Sequence, residues 1–133
     1  MYIFDLDDTL ICGKRYKVPR QTFHVLRSLK ARNHTIVIVT HNPLGYFVAA
    51  KSGLLKFVDK IIYFENCAER SDLVLMALFE FQRSLFPFYH FVYVDDRVDN
   101  VQNVQERFPS AQCIRVRDAS RLFAQLRCCA DAV

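Results

Sequence analysis

Five short apolar runs, each broken by a polar junction and followed by an amphipathic stretch, constrain this chain's fold more than any other feature. The runs are Tyr2 to Leu6, Thr35 to Val39, Ile61 to Phe64, Phe91 to Val94 and Cys113 to Val116. Thr35 to Val39 is β-branched throughout its centre, the composition of a strand buried on both faces. Between the runs, Pro19 to about Arg32 carries Phe23, Val25, Leu26 and Leu29 as an apolar stripe, with proline suited to a first helical turn. His41-Asn42-Pro43 opens a second helix ending near Gly53, and Leu54 to Val58 makes a short turn. Ser71-Asp72 caps a third helix that reaches about Leu85, where Pro87 stops it. Val98 to Phe108 and Ala119 to Cys129 read as two more helices. Strict alternation predicts an α/β domain: a doubly wound, five-stranded parallel sheet between two layers of helix.

A chain of 133 residues supports one hydrophobic core, so a single domain over residues 1–133 is expected. Apolar residues at 52% and charged residues at 24% exclude a disordered chain. The longest apolar run, Leu73 to Phe79, is far short of the roughly 20 residues a membrane span needs, so no membrane partner is expected. Asp5, Asp7 and Asp8 occupy positions a secretory leader would keep apolar. Cys12, Cys67, Cys113, Cys128 and Cys129 are odd in number and lack C-x-x-C spacing, which favours reduced thiols in an intracellular, cytoplasmic or nuclear protein.

Charge is divided along the chain. From Thr9 to Val58 there are nine Lys or Arg and no acid, while the remainder holds nine basic residues against all fourteen acids. One cationic side suits a phosphate-bearing or acidic partner, or is simply a solvated face.

In a doubly wound sheet, ligands bind beyond the carboxyl ends of the strands where the winding reverses. The residues placed there are Asp5-Leu6-Asp7-Asp8-Thr9, then Thr40, then Arg70 ahead of the third helix, then Asp95-Asp96 with Asp99 and Asn100 a turn later. Carboxylates converging from separate strands repel one another unless a cation sits among them. Oxygen donors without His or Cys at the strand ends favour a hard ion, Mg²⁺ before Zn²⁺. A carboxylate held against Mg²⁺ and a phosphoryl group can act as nucleophile, a second one two residues on as general acid and base. A hydroxyl and a guanidinium, here Thr40 and Arg70, suit the equatorial phosphoryl oxygens.

Phe4-Asp5-Leu6-Asp7-Asp8-Thr9-Leu10, Thr40 after an apolar strand and Val94-Asp95-Asp96 after another resemble motifs one, two and four of the haloacid dehalogenase (HAD) superfamily. The resemblance covers Tyr2 to about Asn100, and the last strand and helix fit that family's Rossmann-like, three-layer core. It implies Asp5 as nucleophile and metal ligand, and Asp7 as general acid and base lending its backbone carbonyl to Mg²⁺. It implies Thr40 as phosphate binder, Asp96 as direct metal ligand and Asp95 as a close second. The family normally has Lys where Arg70 stands; Lys51 and Lys56 are earlier candidates for its place. Leu10 to Val18 is too short for a cap domain, so an open site is expected, suited to a phosphate displayed on a macromolecule. Lys14, Arg15 and Lys17 on this flap would steer such a substrate. The first motif is also similar to that of small capless phosphatases acting on the polymerase C-terminal domain, and the short chain suits capless members found in large DNA viruses.

These implications favour a Mg²⁺-dependent phosphatase acting on a phosphoprotein. A nucleic-acid 3′-end phosphatase is the alternative, because a basic half suits a nucleic-acid backbone. A non-catalytic HAD-like binding module, motivated by Arg70, ranks below both. A phospho-accepting receiver domain fails on the order of its Asp and Thr residues. His24, His34, His41 and His90 read as surface or structural, with His41 adjoining Thr40, and Cys12 as a structural flap residue. Leu73 to Phe79 is apolar all round, so part of the third helix is expected to form a self-association surface, giving a homodimer through Leu73 to Phe81.

Overall fold

The computed structural model describes residues 1–13, 16–65, 68–81 and 90–129, with only the backbone of Cys128 and Cys129. Lys14, Arg15, Cys67 and the stretch containing Leu85 and Pro87 lie outside the described residues.

Five strands, β1 (Tyr2–Asp5), β2 (Ile36–Thr40), β3 (Lys60–Tyr63), β4 (Val92–Asp95) and β5 (Gln112–Arg115), form an all-parallel sheet in the order β3-β2-β1-β4-β5. Helices α1 (Arg20–Ala31), α2 (Gly45–Ser52), α3 (Arg70–Phe81), α4 (Val98–Arg107) and α5 (Leu122–Cys129) connect and flank the strands. Each side of the sheet takes alternate strand residues, as a period of two requires. Phe4, Ile36 and Ile38 pack with Val25, Leu26 and Leu29 of α1, Val48 of α2 and Leu126 of α5. Ile3, Val37, Val39 and Tyr93 pack with Leu73, Val74, Ala77 and Leu78 of α3 and Val104 of α4. The expected three-layer α/β sandwich is the observed fold.

Most element ends differ from expectation by about a residue, for local reasons; α2 begins at Gly45, beyond the expected His41-Asn42-Pro43 start, and α3 begins at Arg70, so the expected Ser71-Asp72 cap lies in its first turn. β1 stops at Asp5 because the Leu6 carbonyl turns to accept from the backbone N–H groups of Thr9, Leu10 and Ile11. The closing helix begins as a 3-10 turn, Ala119–Arg121, whose first N–H groups are met by the Asp118 side chain at Ser120. α2 ends as expected at Gly53, whose φ of +86° is the left-handed C-cap that glycine adopts without a Cβ penalty.

Two features position the site. Winding runs outward from β1 through β2 to β3, then returns to place β4 on the other side of β1. That reversal opens a crevice at the carboxyl ends of β1 and β4. The β1–α1 connection is a small hairpin in which Cys12 and Lys17 exchange backbone hydrogen bonds of 2.7 and 3.1 Å. Among the described residues it carries no inserted domain, and none of them roofs the crevice.

The third helix accounts for much of its own apolar character. Leu73, Val74, Ala77 and Leu78 are buried against the sheet, leaving Met76 and Phe79 as its exposed large apolar side chains. The surface for the expected homodimer is thus reduced to two residues one turn apart.

Candidate functional site

A cleft of about 820 Å³ opens at the β1/β4 reversal, and Asp5, Asp7, Thr40, Asn42, Arg70 and Asp96 are among its lining residues. Asp5 ends β1 and Asp95 ends β4, and these strands are direct neighbours with Phe4 opposite Val94. Asp96 follows one residue later. The topology thereby brings together acids about ninety positions apart, with carboxylate oxygens of Asp5, Asp95 and Asp96 all within 4.8 Å of one another.

Asp5 and Asp96 share one donor, Thr9, while Asp5 and Asp95 each have further donors of their own. Thr9 is fully buried, and its hydroxyl lies 3.2 Å from Asp5 Oδ2 and 3.3 Å from Asp96 Oδ1, bridging the two strands. The third residue of the D-x-D-x-T pattern thus spaces the two carboxylates. Arg70 donates from Nη1 to Asp5 Oδ1 at 3.0 Å and to the Val39 carbonyl at 2.8 Å. Its Nε is buried without a hydrogen-bond partner, 4.0 Å from Asp95 Oδ2. Asp95 accepts at Oδ1 from the Arg97 backbone N–H, and at Oδ2 from the Tyr93 hydroxyl and from Asn100 Nδ2.

The electrostatics follow from burial. Asp5 is driven well above the usual carboxylate range by desolvation and by the Asp95 charge, with Arg70 acting in the opposite sense. Asp96 is raised chiefly by desolvation. Tyr93 is raised well above its usual value by burial and then by Asp95, so its hydroxyl stays a hydrogen-bond donor. With all three ionised, three carboxylates against one guanidinium would leave two negative charges, and Asp5 and Asp95 are buried from the water that would screen them. An all-oxygen set with that residual charge fits a hard divalent cation, and the acidic cluster could hold a metal ion. Asp5 and Asp96 line the cleft, whereas the oxygens of Asp95 already accept three hydrogen bonds, so Asp95 contributes through its charge and by orienting its neighbours.

Across the cleft, Asp7 is only half buried, and desolvation raises its carboxyl above the usual range. Asn42 Nδ2 lies 3.3 and 3.5 Å from the two Asp7 oxygens. The Asn42 backbone N–H donates to the Thr40 hydroxyl at 2.9 Å, and its side-chain oxygen caps the Leu44 N–H. Asn42 therefore ties the end of β2 to Asp7. Thr40 accepts at its oxygen and keeps its own proton to donate into the cleft. Gly45, opening α2, permits this packing: a Cβ there would lie 2.7 Å from Thr40 Cγ2. His41 sits on the same rim with Nδ1 2.9 Å from the Phe64 carbonyl.

The structure thus gathers Asp5, Asp7, Thr40, Arg70, Asp95 and Asp96 at one place. Arg70 differs from expectation in its partner: it is a buried counter-charge for Asp5, neither a solvated helix start nor a group whose Nη1 is free for phosphate. Lys51 is not among the residues lining the cleft, and its Nζ lies over the Phe47 ring. Lys17 is exposed on the flap, outside the lining of the cleft. Lys14 and Arg15 lie outside the described residues. Asn100 takes part by holding Asp95, while Asp99 pairs with Arg97 at the rim. Asn42 and Tyr93 complete the site without having been singled out by the sequence. Asn42 immediately precedes a proline beside Thr40, which was read only as a helix-start signal, and Tyr93 resembled any core aromatic.

No family model matches the sequence, and no curated protein matches it. A chain in the "Structure of the Pnkp1/Rnl/Hen1 RNA repair complex" superposes on 86% of this chain with a TM-score of 0.62. The two share 17% sequence identity, and this chain corresponds to 41% of that one. That likeness establishes a shared fold for the sheet and its helices. No helix among the described residues is long and apolar enough to cross a membrane.

Proposed function

We propose that this protein is a Mg²⁺-dependent phosphomonoester hydrolase that forms a phospho-Asp5 intermediate and acts on phosphorylated 3′ ends of nucleic acid. The observation that supports this most is the meeting of Asp5, Asp95 and Asp96 oxygens within 4.8 Å, with Asp7 facing the same cleft. Asp5 and Asp96, with Asp95 behind them, would hold the ion. Bound there, Mg²⁺ would offset charge on the phosphoryl oxygens.

The chain's own residues supply the remaining chemistry. An Asp5 oxygen forms a bond to phosphorus as the ester P–O bond breaks, and Asp7 gives its proton to the departing oxygen. Asp7 is suited to that task because partial burial keeps its carboxyl protonated to higher pH than usual. A water then loses a proton to Asp7 and attacks phosphorus, releasing inorganic phosphate and restoring Asp5. Thr40 donates to a phosphoryl oxygen, and Arg70 holds Asp5 in line through its bonds to Oδ1 and the Val39 carbonyl.

A nucleic-acid end is favoured over a phosphoprotein because the superposable chain belongs to an RNA repair complex and the segment Thr9 to Val58, which supplies Thr40 and Asn42 to the cleft, has nine basic residues and no acid. The open cleft keeps phosphoserine or phosphothreonine in a protein as the second reading. Phosphate release from 3′-phosphorylated oligonucleotides, phosphopeptides and an aryl phosphate, each with and without Mg²⁺, tests these readings. Metal-dependent release from the oligonucleotides, lost in Asp5→Asn, is the expected result. No metal-dependent release from any of the three overturns the proposal, and release confined to phosphopeptides replaces it with the second reading.

A further inference from the structure

Rings that a core should claim stand exposed on and around the flap and α2. Six of the exposed large hydrophobic residues (Tyr16, Leu44, Tyr46, Phe47, Tyr63 and Phe64) fall within residues 16–64, and five of these are aromatic. The same stretch is almost wholly within the segment Thr9 to Val58, which has nine basic residues and no acid. Tyr16 on the flap hairpin is 37% exposed and Phe47 on α2 is 60% exposed. Between them runs a groove of about 280 Å³, also lined by Val48, Lys51 and Ser52. Lys51 Nζ stands 5.7 Å from the Phe47 ring centroid, and Lys17 is exposed at the end of the hairpin.

Both walls of this groove are fastened to the candidate site. The flap is anchored by a bridge between Asp7 and Ile11 and by the Gly13 N–H donating to Asp8 Oδ1 at 3.3 Å. α2 begins at Gly45 against Thr40, and Phe47 lies two residues on, about 3 Å further along the helix axis. The opposite wall of the cleft carries Glu69, Asp96 and Asp99, with Arg97 paired to Asp99, whereas the segment from Thr9 to Val58 has no acid. That asymmetry favours approach of a polyanion across the flap and α2.

We infer that the groove between the flap hairpin and α2 holds single-stranded nucleic acid, its bases stacked on Tyr16 and Phe47 and its backbone against Lys17 and Lys51. The direction of the strand, 3′ end towards Asp5, rests on the phosphatase reading; the stacking does not. Flat rings interleaved with basic residues grip any base sequence, because every base offers a π face and every nucleotide a phosphate. An acidic phosphopeptide would satisfy the lysines and leave the rings solvated.

The test uses the whole chain and a labelled, unphosphorylated ten-nucleotide single strand, with binding read by fluorescence anisotropy. Phe47→Ala and Tyr16→Ala should each raise Kd by about 5- to 100-fold, the loss associated with one stacked base. Phe47→Tyr keeps a ring and should restore binding to within about twofold of the original. Lys51→Gln should lower the slope of log K against log salt by about one. Unaltered affinity in both alanine variants overturns the inference, as does a chain that binds an acidic phosphopeptide but not the strand. Because the strand carries no terminal phosphate, the outcome is independent of hydrolysis. Strand binding without metal-dependent phosphate release from any of the three substrates removes the phosphatase reading alone, and phosphate release without strand binding removes the groove alone.

Discussion

The two walls of the cleft are built on opposite principles. On the β1/β4 side, the carboxylates of Asp5, Asp95 and Asp96 are placed by hydrogen bonds from Thr9, Arg70, Tyr93, Asn100 and the Arg97 backbone. On the flap and α2 side, exposed rings and lysines have few partners, and one glycine contact joins the helix to Thr40. Charges that must share a cation need fixed positions, since Coulomb energies in a dry site change steeply over an ångström. A surface that accepts a flexible polyanion needs reach and flat area rather than fixed geometry. Precision is concentrated in the wall that carries the clustered carboxylates.

The strongest way to break that contrast is Asp5→Asn, expected to lower Mg²⁺-dependent phosphate release by at least about 10⁴-fold, as nucleophile losses do. The same variant yields a stability signature in metal-free buffer. Asp5 is raised in the folded state, so it binds a proton more readily folded than unfolded, and its ionisation destabilises the fold. Its contribution to stability is present below the ordinary carboxylate range and is lost as pH rises through the raised folded-state range. Relative to wild type, Asp5→Asn should therefore gain melting temperature as pH rises above the ordinary carboxylate range. A difference in melting temperature that does not vary with pH would show that Asp5 is not under strain, and Mg²⁺ should flatten the wild-type curve.

Thr9→Val comes next. It keeps the volume but removes the hydroxyl between Asp5 and Asp96, and apparent Mg²⁺ affinity should fall about 10- to 100-fold, measured as the metal concentration giving half-maximal phosphate release. An unchanged metal requirement would mean that the bridge is ornamental. Gly45→Ala tests the hinge between the walls. Its new methyl meets Thr40, a β-branched side chain with little freedom to yield, so a cost of about 1–3 kcal/mol is expected in denaturant unfolding. KM should rise more than kcat falls. The smallest effect belongs to the steering residues. Replacing Lys14, Arg15 and Lys17 together by Gln should reduce kcat/KM for oligonucleotides about tenfold at low salt, with the difference vanishing near 0.5 M salt. Persistence at high salt would show that these residues do not act through their charge.

The motif residues were legible because each follows an apolar strand, and strand ends are where an α/β sheet presents ligands. Asp5, Asp7, Thr40 and Asp96 are of this kind, as is Asp95. Arg70 was legible as a position but not in its role: nothing in Glu69-Arg70-Ser71 says that its guanidinium will be buried and spent on Asp5, 65 residues earlier. Asn42 and Tyr93 were missed for the same reason, since their importance lies in partners across strands. The apolar α3 pointed to self-association, yet most of its excess is taken up by a sheet face that periodicity along one helix cannot reveal.

By itself the sequence determined the alternation of strand and helix, the parallel sheet, and which acids would stand at strand ends. These are local properties, set by side-chain period and by where polar residues interrupt apolar runs. Only the tertiary structure decided that β4 would lie beside β1, that Arg70 would counter Asp5, and that Tyr16 and Phe47 would face each other across a groove. Those outcomes depend on strand order and on desolvation, which arise when distant segments exclude water together, and no window of neighbouring residues contains them.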